Sequence, residues 1–330
     1  MDRHKFDWQT KFVPVQYLAQ NPRIAMTHIN FRDLRYLVAV ADHQHFGQAA
    51  AACFVSQPTL STQIKKLEDY LGVQLVERTS KRVIVTPVGR MITERARQVL
   101  NEVEDLVDVA RAAGDPMSGE LRLGIIPTLG PYLIPHLFPV LKARYPNLRV
   151  LLHEERTNGL IERLRDGSLD AAIMGVPVHD EGLIPLPLFQ EPFQVALPSD
   201  HPLARNAQIE RDELDTLPML LLEEGHCMRD QALDFCSRVG AQQQQDFRAT
   251  SLETLRQMVA TGAGITLLPT LAVEGATMDT HGLCVRPLAG VPPVRELAIY
   301  RRRGCAREPL INALAELIRE LPPVKALPTP

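Results

Sequence analysis

The sequence predicts an α/β protein in which a small helical section and one long helix precede a larger section of alternating strands and helices. Apolar residues recur at helical spacing from Phe31 onwards, a heptad repeat follows Pro87, and residues 120–322 alternate between strand-like and helix-like segments. The chain has 330 residues, enough for about two domains at roughly 150 residues each. We therefore expect the two sections to be separate domains.

We divide the chain where these patterns change. The segments are an extension over 1–28 that we expect to be disordered, a small domain over 29–86, a dimerisation helix over 87–113, a hinge over 114–119, a larger domain over 120–322 and a tail over 323–330. The larger domain has room for two lobes, lobe I over 120–190 and 295–322 and lobe II over 191–294. Two other interpretations of the extension stay open, an over-long start before Met26 and an arm that docks on the body.

The composition excludes several classes of protein. Hydrophobic residues make up 45% and charged residues 23%, so the chain can bury a core, yet it has no run of about 20 apolar residues to cross a membrane. The net charge of -3 excludes a uniformly basic surface but allows a local basic patch. The first 25 residues lack the apolar stretch of a signal peptide, so we expect a cytoplasmic protein. Five cysteines without a C-x-x-C pair argue against a disulfide framework, and we predict no metal site and no cofactor.

Residues 29–86 have the pattern of a helix-turn-helix followed by a hairpin. Ser56 is a good N-cap, Pro58 suits a first turn, and Gly72 suits the end of a helix with one apolar stripe. The second helix of this motif reads DNA, with polar groups meeting base edges and basic groups meeting phosphates. The predicted DNA-binding residues are Gln57, Pro58, Thr59, Ser61, Thr62, Lys65, Arg78 and Lys81. The periodicity alone fits a solvated helix face equally well.

A long helix begins at Thr86 and Pro87 and carries a heptad repeat. Its apolar residues are spaced alternately four and three apart over about three heptads, the pattern of a coiled-coil seam. The seam residues are Ile92, Ala96, Val99, Val103, Leu106 and Ala110. A lone helix cannot bury such a seam, so we predict a homodimer, with packing against its own domain as the alternative.

The larger domain is predicted to contain a mainly parallel sheet with helices on both faces. Ligands of open α/β sheets bind beyond the carboxyl ends of the strands. Thr128 follows a strand predicted over 121–126, and Thr157 follows one predicted over 148–153. Both threonines are candidates for the floor of a cleft, although most threonines at such positions only cap helices.

Two parts of the chain resemble one known family. Residues 29–113 resemble the winged helix-turn-helix and linker helix of the LysR-type transcriptional regulators. The similar residues are Ala39, Phe46–Ala50, Val55–Ser61, Ile64–Glu68, Leu71, Gly72, Leu75, Arg78, Thr86 and Gly89. Residues 120–322 are similar to the two-lobed, periplasmic-binding-protein-like regulatory domain of that family. Within the family, residues 126–133, 223–236 and 248–269 resemble the OxyR-type peroxide sensors.

The resemblance implies a bacterial transcriptional regulator, not an enzyme, that senses hydrogen peroxide and activates antioxidant genes. It implies double-stranded promoter DNA, hydrogen peroxide and RNA polymerase as partners, and an assembly of two or four copies without a membrane. It also implies a pocket in which Thr128, Thr157, His226 and Cys227 hold the peroxide, with Arg256 favouring the thiolate.

The residues around Cys227 themselves favour a reactive thiol. Gly225 and His226 precede a predicted helix, so Cys227 lies at a helix N-terminus, where the dipole favours a thiolate, and His226 and Arg229 add positive charge. A thiolate attacks the O–O bond of a peroxide and becomes a sulfenic acid. Cys236, the predicted resolving thiol, is nine residues further on, about 13.5 Å along an intact helix. A disulfide needs Cα atoms within about 7 Å, so the helix must unwind before the thiols can bond.

The other cysteines have weaker cases. Cys53 and Cys284 are predicted to pack inside their domains, and Cys305, among arginines, is predicted to be an incidental surface thiol. Two other functions stay open. A thiol peroxidase would use the same chemistry but would have no use for a helix-turn-helix, and a regulator that binds an organic co-inducer would have passive cysteines.

Overall fold

The computed structural model describes residues 29–78, 83–112, 114–239, 242–274 and 282–328. The extension over 1–28 and the predicted DNA-binding residue Lys81 lie outside these residues. The chain divides into two compact units, residues 1–100 and residues 101–330. Within the described ranges, no helix combines the length and the apolar character needed to cross a bilayer.

Three helices and a hairpin make up the first unit, which we call the head. The helices are α1 (Phe31–His43), α2 (Phe46–Ala52) and α3 (Gln57–Leu71), and the strands β1 (Val76–Arg78) and β2 (Val83–Val85) pair antiparallel. Their inward faces share one apolar core. This is the predicted winged helix-turn-helix, with α3 as its second helix and the hairpin as its wing.

Helix α3 begins and ends where the sequence predicts. The Ser56 hydroxyl accepts a hydrogen bond from the amide three residues later at 3.3 Å, and Gly72 ends the helix in the left-handed region at φ 68°. The Glu68 carboxylate accepts hydrogen bonds from the amides of Leu75 and Val76 at 2.8 and 3.1 Å. Glu68 therefore ties the first strand of the wing to α3.

One long helix, α4 (Pro87–Ala112), crosses the boundary between the two units. The predicted heptad seam on this helix divides into two parts. Ile92 and Ala96 pack into the core of the head, as the alternative interpretation held. Val99 and Leu106 are 44% and 69% exposed, so these later positions stay a predicted dimer seam.

Strands and helices alternate through the second unit. It opens with β3 (Gly119–Ile125), α5 (Gly130–Arg144), β4 (Leu148–Glu154), α6 (Thr157–Arg165) and β5 (Ala171–Gly175). The long strand β6 (Leu183–Pro198) leads into β7 (Pro218–Leu222), α7 (Cys227–Val239), β8 (Gln242–Ala249), α8 (Leu252–Ala260), β9 (Thr266–Pro269), α9 (Thr270–Glu274) and β10 (Leu283–Pro287). The unit continues with β11 (Val294–Arg302), α10 (Glu308–Glu320) and α11 (Pro322–Lys325).

The main sheet is mixed, so the prediction of a mainly parallel sheet is wrong. Its strand order is β10-β6-β11-β5-β3-β4, and β9 also pairs with β6. Strands β4, β3 and β5 are parallel, whereas β11 is antiparallel to β5 and β6, and β6 is antiparallel to β9 and β10. The chain leaves lobe I along β6 and returns along β11, so the two connecting strands run in opposite directions.

Buried apolar side chains form two clusters in this unit. One takes its residues from 121–189 and 297–324, together with Leu271, and the other takes them from 193–288. Val324 belongs to the first cluster and is 2% exposed, and the Gln190 amide donates to the Pro328 carbonyl at 2.8 Å. Residues 323–328, predicted as a tail, therefore pack on lobe I, because the apolar side chain of Val324 extends its core.

Strand β8 and helix α10 were not predicted from the sequence. Strand β8 begins in the glutamine run Gln242–Gln245, which lacks the apolar alternation that marks a half-buried strand, and it pairs parallel with β7. Helix α10 buries Leu310, Leu314 and Leu317 in the core of lobe I. Strand β8 therefore depends on tertiary pairing, whereas α10 has a local signal, since Pro309 lies in its first turn and its apolar residues recur at helical spacing.

Candidate functional site

Cys227 is the first residue of α7, as the sequence predicts. Gly225 precedes it at φ 92°, a left-handed conformation that glycine adopts without strain. The half-buried thiol lies against the end of β5, where a Cβ added at Gly175 would come within 3.1 Å of the Cys227 Sγ. Any larger residue at 175 would displace the sulfur.

Beside the thiol lies a small recess. Its walls include Thr128, Arg156, Thr157, His226 and Cys227. The structure thus brings together the four residues that the sequence analysis placed in one pocket. Thr128 follows β3, and Thr157 begins α6 with two residues between it and the end of β4, so both come from the carboxyl ends of neighbouring parallel strands.

Two polar atoms of the recess are buried. The Thr157 Oγ1 and the His226 Nε2 have no hydrogen-bond partner among the described residues. Buried polar atoms are normally paired, because leaving one unpaired costs about 1–3 kcal/mol. The recess therefore offers two hydrogen-bonding groups to a small polar molecule next to the Cys227 thiol.

The imidazole of His226 is held in its neutral form. Burial lowers the pKa of His226 below its ordinary value, and the nearby Arg156 guanidinium lowers it further. Glu223 and a hydrogen bond with the Thr250 backbone oppose this shift without reversing it. The direction of this shift argues against the expectation that His226 adds positive charge near Cys227.

Arg156 supplies the positive charge at the recess. Its guanidinium pairs with the Glu223 carboxylate at 3.0 Å and donates to the Glu224 carbonyl at 3.1 Å. These bonds tie the end of β4 to the loop that precedes α7. The sequence analysis did not single out Arg156. Its position between the end of a predicted strand and Thr157 could have marked it as a residue of the cleft.

A buried ion pair fixes Thr128. Arg295 and Glu191 are both 0% exposed and pair at 2.7 Å, and the Glu191 carboxylate also accepts from the Leu271 amide at 2.7 Å. The Arg295 guanidinium donates to the Thr128 Oγ1 at 3.0 Å and to its carbonyl at 3.2 Å. Because the Thr128 oxygen accepts from Arg295, the hydroxyl hydrogen remains able to donate elsewhere.

Arg256 and Arg229 are not among the residues that line the recess. Arg256 is buried, pairs with Glu253 at 2.7 Å and lies beside Tyr132, whose pKa is raised by burial. Arg229 is buried and donates to the Leu222 carbonyl at 2.7 Å at the end of β7. Arg229 therefore links α7 to the end of β7, whereas Arg256 makes contacts within α8 and with α5.

Cys236 lies on α7 and is packed in the core of lobe II. Burial raises the pKa of its thiol to about 11, so Cys236 is protonated near neutral pH. Nine residues along one helix separate it from Cys227 by about 13.5 Å of rise. In this state Cys236 behaves as a small apolar side chain.

The remaining cysteines also pack against apolar clusters. Cys53 and Cys284 are half-buried, and burial raises the pKa of Cys53. Cys305 is buried in the core of lobe I, with its Sγ 3.9 Å from the Asp170 carbonyl. The expectation of a surface thiol at Cys305 is therefore wrong, because its side chain packs into this core and two of the neighbouring arginines, Arg301 and Arg307, are themselves buried.

Comparison with protein families matches both units. Residues 31–90 match the bacterial regulatory helix-turn-helix proteins of the lysR family, and residues 114–322 match the LysR substrate binding domain. The chain belongs to the LysR family. Within that family it is 48% identical over 292 residues to the hydrogen peroxide-inducible genes activator of Dickeya chrysanthemi, covering 88% of this chain and 95% of that one.

Other members of the LysR family extend this likeness. The DNA-binding transcriptional dual regulator OxyR of Escherichia coli K12 is 47% identical over 291 residues, 88% of this chain and 95% of that one. A full-length OxyR variant from Pseudomonas aeruginosa has a TM-score of 0.76 at 39% identity, covering 92% and 98% of the two chains. A hydrogen peroxide-bound OxyR mutant from Corynebacterium glutamicum has a TM-score of 0.62 at 34% identity, covering 90% and 94%.

The LysR-family head presents a polar surface along α3. Its exposed residues include Gln57, Pro58, Thr59, Thr62 and Lys65, while Ser61 is half-buried. Two hydroxyl groups are engaged locally, since Thr59 bonds the Ser56 hydroxyl at 2.7 Å and Thr62 donates to the Pro58 carbonyl at 2.8 Å. The side chain of Arg78 lies outside the described part of the wing.

The buried pair behind Thr128 gives a testable stability effect. We expect Arg295→Met to lower the free energy of unfolding by about 3–5 kcal/mol, because it leaves the Glu191 carboxylate buried without its cation. The double variant Arg295→Met with Glu191→Gln should recover part of that loss. Urea unfolding of the reduced proteins measures both, and equal losses in the single and double variants would contradict a charge effect.

The low pKa of His226 predicts how stability depends on pH. Because the folded pKa lies below that of the unfolded chain, the stabilisation is complete above about pH 6.5 and is lost as the pH falls towards the folded pKa. We expect the unfolding midpoint of the reduced protein to fall more steeply from about pH 7 to about pH 5 than that of His226→Gln. Thermal unfolding across this range gives the comparison, and parallel profiles would contradict the assignment.

Proposed function

We propose that this chain is a transcriptional regulator that binds double-stranded DNA through its head and is switched by hydrogen peroxide at Cys227. The recess carries the proposal, because it places a thiol at a helix N-terminus beside two buried polar atoms with no described partner. The names of the relatives support the same signal. Thr128, Thr157 and His226 are the proposed peroxide-binding residues.

The proposed first step is the reduction of hydrogen peroxide by Cys227. The thiolate attacks one peroxide oxygen, an S–O bond forms and the O–O bond breaks, so the sulfur is oxidised by two electrons to a sulfenic acid. The other oxygen leaves as hydroxide and takes a proton to become water. The Thr128 hydroxyl, whose oxygen already accepts from Arg295, can donate a hydrogen bond to that oxygen.

The proposed second step is resolution by Cys236. Its sulfur attacks the Cys227 sulfur, an S–S bond forms, the thiol proton is lost and the sulfenic oxygen leaves as water. Helix α7 must unwind for this attack, and Cys236 must leave the core of lobe II. A covalent bond thereby selects a second local structure, which we propose alters the packing between copies and the spacing of their heads.

The size of the recess and the presence of the head bear on the two alternative functions. The recess beside Cys227 is far smaller than the cavity of about 300–1,000 Å³ that an organic ligand needs, so an organic co-inducer would have to bind in another cavity of the domain. A thiol peroxidase would leave the head without a role. We favour a sensor that reacts once per signal and is not an enzyme.

Assembly and partners are part of the same proposal. The exposed Val99 and Leu106 support a dimer seam on α4, and we propose a dimer or tetramer that contacts promoter DNA and RNA polymerase in the cytoplasm.

Cysteine substitution tests the redox proposal. Peptide mapping after one equivalent of peroxide should find a disulfide between Cys227 and Cys236 in the wild type, a sulfenic or over-oxidised Cys227 in Cys236→Ser, and neither product in Cys227→Ser. Cys305→Ser is the matched control and should retain the disulfide. DNA footprints of each form should change with peroxide only where the disulfide forms.

The outcomes of that mapping are distinct. Oxidation at Cys284 or Cys305 in place of Cys227 would contradict the assignment of the reactive thiol. An unaltered intramolecular disulfide in Cys236→Ser would exclude Cys236 as the partner. Peroxide-independent switching of Cys227→Ser by a metabolite would favour a co-inducer.

The DNA-binding proposal predicts two different effects on α3. Lys65→Ala should weaken binding to all duplexes and reduce the slope of log affinity against log salt by about 1, because one phosphate contact is lost. Gln57→Ala should instead relax sequence preference, since an amide side chain can read base edges. Fluorescence anisotropy across a salt series measures both, and unchanged binding in both variants would contradict this placement of the interface.

A further inference from the structure

Phe54 lies in the turn between α2 and α3 and is 96% exposed. No other large apolar side chain in the described part of the chain is as exposed. Its amide donates to the Ala51 carbonyl at 3.1 Å, and the Val55 amide donates to the Ala50 carbonyl at 3.0 Å. These two bonds form a Schellman motif, in which Phe54 is the first residue beyond the C-cap.

The backbone at Phe54 adopts a conformation that suits glycine. Its φ is 56°, in the left-handed region where a Cβ is strained and where glycine or asparagine normally ends a helix. The ring gains no burial in exchange, since it belongs to none of the apolar clusters formed by the described residues. Phe54 therefore opposes folding through backbone strain, and its ring, which is as exposed as in the unfolded chain, gains no burial that would offset the strain.

The position of Phe54 indicates what covers the ring. It lies two residues before the Ser56 N-cap of α3 and three before Gln57. The N-terminal turn of the second helix is the part of a helix-turn-helix that approaches base edges. The turn that carries Phe54 therefore lies next to the proposed DNA-contacting residues.

We propose that Phe54 is a DNA-contacting residue whose ring packs on apolar carbon atoms of the bound duplex. The inference rests on the proposed DNA-binding function of the head and adds a residue to it. Two parts of DNA offer such carbon atoms at this position, the thymine methyl group in the major groove and the deoxyribose of the backbone. Either contact would remove the ring from water only in the complex.

Three variants of the full-length chain separate the ring from the backbone strain. Phe54→Ala removes the ring but keeps a Cβ in the left-handed region, and Phe54→Gly removes both. Tyr70→Ala is the matched control, because Tyr70 is an exposed aromatic residue at the opposite end of α3. The probe is a duplex that the wild-type chain selects from a random-sequence library, and fluorescence anisotropy measures its affinity.

We expect Phe54→Ala and Phe54→Gly to weaken binding by a similar factor of about 5 to 30, because both lose the same apolar contact. Tyr70→Ala should stay within about twofold of the wild type. Phe54→Gly alone should raise the unfolding temperature of the head, by about 4 °C. A gain in stability with a loss of affinity is not expected from a residue that only supports the fold.

The selected duplex with deoxyuridine in place of thymidine distinguishes the two sources of carbon. If Phe54→Ala no longer weakens binding to that duplex, the ring contacts a thymine methyl group; if the loss persists, the ring contacts deoxyribose. Wild-type affinity in both Phe54→Ala and Phe54→Gly would overturn this inference alone. A wild-type chain that enriches no sequence would instead contradict the proposed function.

Discussion

Nine residues of one helix separate the two thiols on which the proposed switch depends. Helix α7 places Cys227 beside the recess and Cys236 in the core of lobe II. Its rise of about 13.5 Å between them exceeds the roughly 7 Å between Cα atoms that a disulfide allows. The intact helix and a disulfide between these thiols therefore exclude each other, so the proposed oxidation would itself require a change of structure in this segment.

The two threonines of the recess and the two thiols of the proposed switch lie in different lobes of the larger domain. Thr128 and Thr157 follow parallel strands of lobe I, and the buried pair of Arg295 and Glu191 holds Thr128. Cys227 and Cys236 belong to α7, which packs in lobe II. Thr128 and Thr157 can therefore stay in place while the segment that carries His226 and both thiols rearranges in the proposed switch.

Local patterns were sufficient to predict much of the fold and of the candidate site. Ser56 and Gly72 mark the ends of α3 because capping is decided within a few residues. Thr128 and Thr157 could be predicted because parallel strands bring their carboxyl ends to one edge. The direction of β11 was not predictable, because it depends on the chain returning from lobe II.

The residues whose environment the sequence analysis did not predict interact with partners that are far away in the sequence. Arg295 and Glu191 are 104 residues apart, and neither has a local pattern that marks it as buried. Cys305 has arginines as its neighbours in the sequence, which suggested an exposed thiol. Its side chain is buried in the core of lobe I instead. The pKa of His226 likewise depends on Arg156 and on burial.

Hydrogen exchange of the α7 amides tests the central claim most directly. Mass spectrometry would follow residues 228–239 in reduced protein and in protein whose disulfide has been verified by mapping, with the Cys236→Ser protein as the control. The account predicts slow exchange in the reduced and Cys236→Ser proteins and a loss of protection confined to the disulfide form. Equal protection of these amides in the reduced and disulfide forms would contradict it.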